Sequence, residues 1–304
     1  MQPFFSRHLE RKGIIHYGRS AAQGDAIGPC HKIAHRPVIF FALATLISLK
    51  IREIAIVAPG TLHDDLRVLL GDGFRFGVRL EYLCDTQAPG LAGSCLVARD
   101  FLSGSPCALL AGNSILSVAD LYGRAGALAH LQRGATVFSV PWSGGALEPG
   151  AQTALGAQDT GPRQAGHEKF AGLFLLDARA PSLASWLAED ANGARQIIDL
   201  LGLYESACDL HLVDLSASAN VFTVDGSAAA EAAEEFVTTQ DRRCNGFFGA
   251  PELEALRQGF AARRSVRAWA DAHAAEPYGA ALARALRPVS PMPSEASERR
   301  AAGL

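Results

Sequence analysis

Apolar positions along the chain fall into two kinds of run. The short runs are Lys12–Tyr17, rich in Ile, Glu53–Ala58 (EIAIVA, closed by Pro59-Gly60), Val78–Cys84, Pro106–Ala111 (PCALLA, ending at Gly112) and Ala135–Val140 (ATVFSV). Their lengths and β-branched content predict strands. The longer runs between them have helical length or spacing. Pro37–Leu49 is almost wholly apolar with a proline placed for the first helical position, and Leu62–Leu70 stops at Gly71. Leu91–Phe101 and Ala119–Leu131 complete the set. Strands alternating with helices predict βαβ units, hence an α/β fold with a doubly wound, mostly parallel sheet buried on both faces. Ligands of such sheets sit at the carboxyl ends of the strands. The loops Gly18–Pro37, Asp85–Gly90 and Gly112–Asp120 lie there.

The second half is organised differently. Residues 142–168 are rich in Gly, Ala, Gln and Pro and are expected to form an irregular loop. Phe170–Asp177 resumes as a strand, helices follow at Ser182–Glu189 and Ala194–Tyr204, and strands at Asp209–Leu215 and Asn220–Val224. Four helices are expected after that: Ala230–Thr239, Pro251–Phe260, Ser265–His273 and Tyr278–Leu286. The predicted organisation is an extension (1–11), an α/β domain (12–226), a C-terminal helical segment of the same fold (227–286) and a flexible tail (287–304).

Composition narrows the function. The chain of 304 residues has a net charge of −3, and only Lys12, Lys32, Lys50 and Lys169 are lysines. That balance argues against a nucleic-acid footprint. Met1–Lys12 holds no apolar stretch of signal-peptide length, and the longest apolar run, Val38–Leu49, is far short of the roughly 20 residues of a membrane span. A cytoplasmic protein with no membrane partner is expected. The six cysteines include no C-x-x-C pair and are expected to be reduced and mostly buried, not a disulfide framework or zinc site. His31 and His35 are spaced to bind a metal only on a helix, and the Pro37 start places them in a loop as exposed polar residues. Asp64-Asp65 suit a helix N-terminus.

A collinear set of short signatures resembles the glucose-1-phosphate thymidylyltransferase family of sugar-1-phosphate nucleotidyltransferases. The set is Lys12-Gly13-Ile14-Ile15, the helix after Pro37, Leu69-Leu70-Gly71-Asp72-Gly73, Gly90-Leu91-Ala92, Cys107–Gly112, Ala171-Gly172-Leu173-Phe174, Asp225-Gly226, Pro251-Glu252-Leu253 and Arg257-Gln258-Gly259-Phe260. It covers about residues 11 to 285. The resemblance implies a reaction that joins a sugar 1-phosphate to a nucleoside triphosphate and releases pyrophosphate. It also implies a homo-oligomer (dimer or tetramer), Mg²⁺ if active, and a cleft for nucleotide or sugar phosphate built on Gly18, Asp85, Gly90, Gly112 and Gly172. Such chemistry needs amides around the phosphates, a cation on the leaving group and carboxylates on the metal.

Measured against that pattern, the charged positions are replaced. The family loop G-G-x-G-T-R-L reads Gly18-Arg19-Ser20-Ala21-Ala22-Gln23, with Gln23 at the arginine position. Gly28 falls at the family lysine, with Lys32 four residues off register. Asn113 takes the place of the first metal aspartate and Val224 that of the second, with Asp225 displaced by one residue. Asp85 and Gly93 stand at the base-reading and neighbouring glutamines. The possible substitutes are Arg19, Lys32 and Asp225. The expected function is a non-catalytic relative with a binding, regulatory or assembly role. The alternative is an active nucleotidyltransferase, or a repurposed enzyme, using the same cleft.

Overall fold

The computed structural model describes residues 11–18, 27–85, 90–118, 121, 133–141, 168–191, 193–215, 219–243 and 247–287. The expected helix at 119–131, the 142–168 loop up to residue 167 and the tail from residue 288 lie outside the described residues or nearly so.

The central sheet is built from β1 (Lys12–His16), β4 (Glu53–Ala58), β5 (Arg79–Cys84), β6 (Cys107–Ala111), β8 (Ala135–Pro141), β9 (Glu168–Leu176) and β10 (Leu210–Asp214). Its order is β10-β8-β9-β6-β1-β4-β5. β1 pairs in parallel with β4 and with β6, whereas β9 runs antiparallel between β6 and β8. The sheet is thus mostly parallel, as the alternating pattern predicts. Consecutive residues turn to opposite faces, and the two apolar layers record it. Ile15, Ile54, Ile56 and Leu110 face a layer with α1 (Val38–Ser48) and α2 (His63–Leu70). Ile14, Ala55, Val57 and Leu109 face α3 (Gly93–Val97), α4 (Arg99–Leu102), α5 (Ala180–Ala184) and α6 (Ile197–Ser206).

Val38–Ile47 of α1 are all buried. A helix apolar on every side must be enclosed on every side. Here the sheet covers one side, and α8 (Pro251–Arg257) and β7 (Ser114–Ser117) cover others. Two features escape the sequence pattern. The expected loop 18–37 contains a hairpin of β2 (Lys32–Ile33) and β3 (Arg36–Pro37), turned at Ala34 and His35 in left-handed conformation (φ 46° and 69°). Pro37 therefore caps α1 instead of opening it. β7 lies within the expected loop 112–120 and pairs antiparallel with β11 (Asn220–Thr223) in a separate small sheet. The single helix expected at Leu91–Phe101 is two short ones, because Ala98 at ψ 10° leaves the helical path. The cysteine expectation also needs correction. Cys95 and Cys107 are buried, but Cys30, Cys84 and Cys208 are exposed.

The C-terminal segment adds α7 (Ser227–Arg243), α8, α9 (Arg263–Ala272) and α10 (Pro277–Ala285). Polar anchors fix it to the sheet domain. Arg36, fully buried, forms an ion pair with Asp241 of α7 and stacks on Phe247 at 4.0 Å. The Ala34 amide donates to Glu234 of α7 at 2.5 Å. Glu252 of α8, also fully buried, accepts from the Tyr278 hydroxyl of α10 and lies 3.3 Å from Arg75. Trp269, Phe236 and Phe260 are used within the chain: Trp269 packs against Tyr278, Phe236 against Phe222, and Phe260 beneath Arg52.

Burial raises the Glu252 carboxyl above its ordinary value, and Arg75 and Tyr278 only partly offset this. The folded state therefore holds a proton more tightly there than the unfolded chain. The Glu252 contribution is fully present below the unfolded carboxyl pKa and declines as pH rises through the raised folded value. Denaturant titrations in that pH window are expected to show wild-type stability falling relative to Glu252→Gln.

Candidate functional site

Strand order reverses at β1: β4 and β5 lie on one side, β6 on the other. Beyond the ladder, three more bonds hold the strand ends together. Gly112 N donates to His16 O (2.7 Å), Tyr17 N to Val57 O (2.8 Å) and Asp85 N to Ala58 O (2.9 Å). The crevice at this switch point is the expected ligand position of a doubly wound sheet.

Its floor is made by residues the sequence pattern did not single out. His16 lies in register with Val57 and Ala111 and is 6% exposed. Its Nδ1 is 2.8 Å from Ser94 Oγ on α3. Burial pushes the imidazole down to about 4, so it is uncharged at neutral pH and supplies no replacement cation. Tyr17 lays its ring on Gly112 and donates its hydroxyl to the Ile27 carbonyl. This bond ties Ile27 to the carboxyl end of β1. The available signal was polar residues at the carboxyl end of an otherwise apolar strand.

Several expected glycines are explained by close approach. A Cβ on Gly18 would stand 2.7 Å from His16 Nε2, and one on Gly112 would stand 2.8 Å from the Tyr17 ring. Gly90 (φ 95°) faces the Arg195 carbonyl, which a Cβ would meet at 2.7 Å. Gly172 (φ 74°) faces Ser114 Oγ at 2.9 Å in the same sense. The Gly90 contact brings the Gly90-Leu91-Ala92 turn against the Gly193–Asp199 stretch.

Asn113 and Val224 meet across this region. Val224 N donates to Asn113 O at 2.9 Å, and Asn113 Nδ2 reaches Val224 O at 3.4 Å. Val224 is fully buried among Ile33, Val38, Phe41 and Ile115. Asp225, next in the chain, is half-buried and makes an interaction of its own. Asp85 is buried at the end of β5. Gly28 is exposed with open space around it, and Lys32 is exposed on the β2–β3 hairpin. Arg19 and Gln23 lie outside the described residues. His31 and His35 are exposed at the ends of the hairpin, not on a helix.

A magnesium site does not fit these side chains. Asn113 directs its amide N–H to a carbonyl, Val224 has no donor atom, and Asp225 alone carries charge, whereas Mg²⁺ is ordinarily held by carboxylates and phosphates. Among the described residues no group of three or more His, Cys, Asp or Glu side chains is placed to hold a metal. Among the described residues, too, no helix is long and apolar enough to cross a membrane.

Removing the Tyr17 hydroxyl deletes one half-buried bond to the Ile27 carbonyl. Tyr17→Phe is expected to lower stability by about 1 kcal/mol. Hydrogen exchange should quicken at the amides next to Ile27; unchanged exchange there would show that this clamp holds nothing.

Comparison with known proteins agrees with this architecture. The family model described as Nucleotidyl transferase matches residues 29–143. The chain is 30% identical over 293 residues to the glucose-1-phosphate thymidylyltransferase of Xanthomonas campestris pv. campestris (strain B100), covering 90% of this chain and 93% of that one. It is 29% identical over 249 residues to that of Actinoplanes sp. (80% and 82% covered). Among solved structures, one from Bacillus anthracis assigned to glucose-1-phosphate thymidylyltransferase superposes with a TM-score of 0.61 at 19% identity, over 74% of this chain and 94% of that one. A UDP-glucose pyrophosphorylase complexed with UDP-glucose gives 0.56 at 13% identity, over 76% and 100%. These two structures share the fold. Identity of 30% to the Xanthomonas protein, over nine-tenths of both chains, means that the chain belongs to the glucose-1-phosphate thymidylyltransferase family of sugar-1-phosphate nucleotidyltransferases.

Proposed function

We propose that this protein binds a nucleotide or sugar phosphate in the crevice at the end of β1 and does not transfer a thymidylyl group to glucose 1-phosphate. The observation that carries the reading is the Asn113–Val224 junction. The two positions at which the family resemblance implies metal carboxylates are adjacent here, and they hold an amide bonded to a carbonyl and an apolar side chain packed in a core. Displacement at an α-phosphate builds negative charge on the transferring and leaving groups. Each fixed positive group or metal removed from such a site commonly costs a hundredfold or more in rate, on the order of 3 kcal/mol. His16, uncharged by burial, does not restore the loss.

The reading keeps the nucleotide or sugar-phosphate ligand that the family resemblance implies, with Gly18 and Gly112 at the carboxyl ends of β1 and β6 and Asp85 at the end of β5. The reading is a binding, regulatory or assembly role beside sugar-nucleotide chemistry, in a homo-oligomer such as the resemblance implies. The Xanthomonas and Actinoplanes relatives carry the name of the thymidylyl transfer itself.

A pyrophosphate-release assay with dTTP or UTP, glucose 1-phosphate and Mg²⁺ is expected to register no turnover above background. Turnover that Asp225→Ala abolishes would sink the non-catalytic reading and restore Asp225 as a metal ligand. The apolar seat of Val224 also opposes simple reversion. Val224→Asp places a charge in that core and is expected to cost about 3 kcal/mol or more of stability, read by denaturant titration.

A further inference from the structure

The last two helices form an antiparallel pair. Arg263, at the start of α9, donates to the Leu286 carbonyl just past α10 at 2.5 Å. At the other end a Cβ on Gly279 would collide with the His273 carbonyl, so glycine there lets the helices converge. Val266 and Ala270 of α9 and Tyr278, Ala281 and Leu282 of α10 are buried. The stripes beside them follow helical spacing. Arg267 and Asp271 come from α9, and Ala280, Ala283 and Arg284 from α10. Arg287, just past α10, is tied to this stripe by a bond from its amide to the Arg284 carbonyl (3.0 Å). Between the stripes lies a cleft of about 470 Å³, with His35 of the β2–β3 turn as a further wall. That volume is within the range of small-molecule sites.

Charge in the cleft is unbalanced. Residues 263–287 hold five arginines against Asp271 and Glu276, in a chain whose net charge is −3. Asp271 is taken up by Arg267, whose Nε lies within 3.0 Å of both carboxylate oxygens. Glu234 and Asp241 line a smaller cavity that also reaches Arg284, and both are committed. Glu234 accepts from the Ala34 amide, and Asp241 accepts from Arg36 and from the Phe248 amide. Arg284 and Arg287 are exposed, and neither has an ion pair with a described residue. Like charges three residues apart on one helix face repel, and an anion between them relieves that repulsion.

We propose that this cleft binds the phosphate group of a small phosphorylated molecule, held by the guanidinium groups of Arg284 and Arg287, with the body of the molecule on Ala280 and Ala283. A guanidinium presents two parallel N–H donors to one phosphate. A single fork satisfies a carboxylate, whereas two forks match a phosphate with three free oxygens and up to two negative charges. The site is separate from the crevice: none of its residues comes from the carboxyl end of β1, β5 or β6.

Calorimetric titration of the full chain with ribose 5-phosphate, inorganic phosphate and malonate tests the site. Ribose 5-phosphate is expected to bind most tightly, and malonate at least about tenfold more weakly. Arg284→Gln and Arg287→Gln are each expected to weaken ribose 5-phosphate by about tenfold. Arg264→Gln, on the exposed start of α9 and outside the cleft, should leave it unchanged. Bound ribose 5-phosphate should slow hydrogen exchange within residues 264–287. Wild-type affinity in the Arg284→Gln, Arg287→Gln double variant would overturn the site, as would failure of the wild-type chain to bind. An equal loss in Arg264→Gln would replace the site with a diffuse positive field. Malonate binding as tightly as the ester would overturn the phosphate assignment, and inorganic phosphate doing so would overturn the seat on Ala280 and Ala283. Protection confined to residues next to Gly18 and Gly112 would move the ligand to the crevice. Protection of 264–287 that rises with protein concentration alone would make this face a contact between copies of the chain.

Discussion

Everything near the crevice depends on the pairing of β1 with two parallel neighbours at once. β4 extends from one side and β6 from the other, and the strand ends are held level by bonds from Gly112 to His16 and from Tyr17 to Val57. The residues that follow the two strands stay in contact, since a Cβ on Gly112 would meet the Tyr17 ring at 2.8 Å. The side chain at the last position of β1 lies between these two pairings. In this chain that position is a histidine whose ring fixes where the next glycine must be, since a Cβ on Gly18 would meet Nε2 at 2.7 Å.

A second constraint runs from the crevice to the C-terminal half. The β7–β11 ladder continues through the Asn113–Val224 bonds, so the two segments at which the family resemblance implies metal ligands are held in contact by backbone hydrogen bonding. Val224 belongs to a core shared with α1 and α7, and Asn113 uses its amide as a tether. The C-terminal helices are secured elsewhere, through the buried Arg36–Asp241 pair and the Glu252–Tyr278–Arg75 group. Burial disfavours the charged forms of Arg36, Asp241 and Glu252, so these anchors specify how the segments dock more than they add to stability.

The sheet was legible in the sequence because its strands are buried on both faces and read as continuous apolar runs flanked by Gly and Pro. Glu53–Ala58 is found at the residues its composition indicates, and Val38–Ser48 lies within one of its expected bounds at each end. The β2–β3 hairpin was not legible, because its strands are two residues long and its turn places Ala and His, not Gly or Asn, in left-handed conformation. β7 was hidden for a related reason. It is a four-residue strand whose partner, β11, lies about a hundred residues later in the chain. Gly18, Gly90, Gly112 and Gly172, singled out in the sequence, stand where a Cβ would meet neighbouring protein atoms. His16 was not singled out, because a single polar residue closing an apolar run carries no periodicity. Its meaning appears only when Ser94, from another element, is brought within 2.8 Å.

A crystal structure of the protein with dTTP and Mg²⁺ tests the central claim most directly. The account predicts nucleotide in the crevice beside His16, with Asn113 still bonded to the Val224 carbonyl and no metal ion joining Asp225 to the α-phosphate. A magnesium ion coordinated by Asp225 and the α-phosphate, with the Asn113–Val224 bond broken, would contradict it.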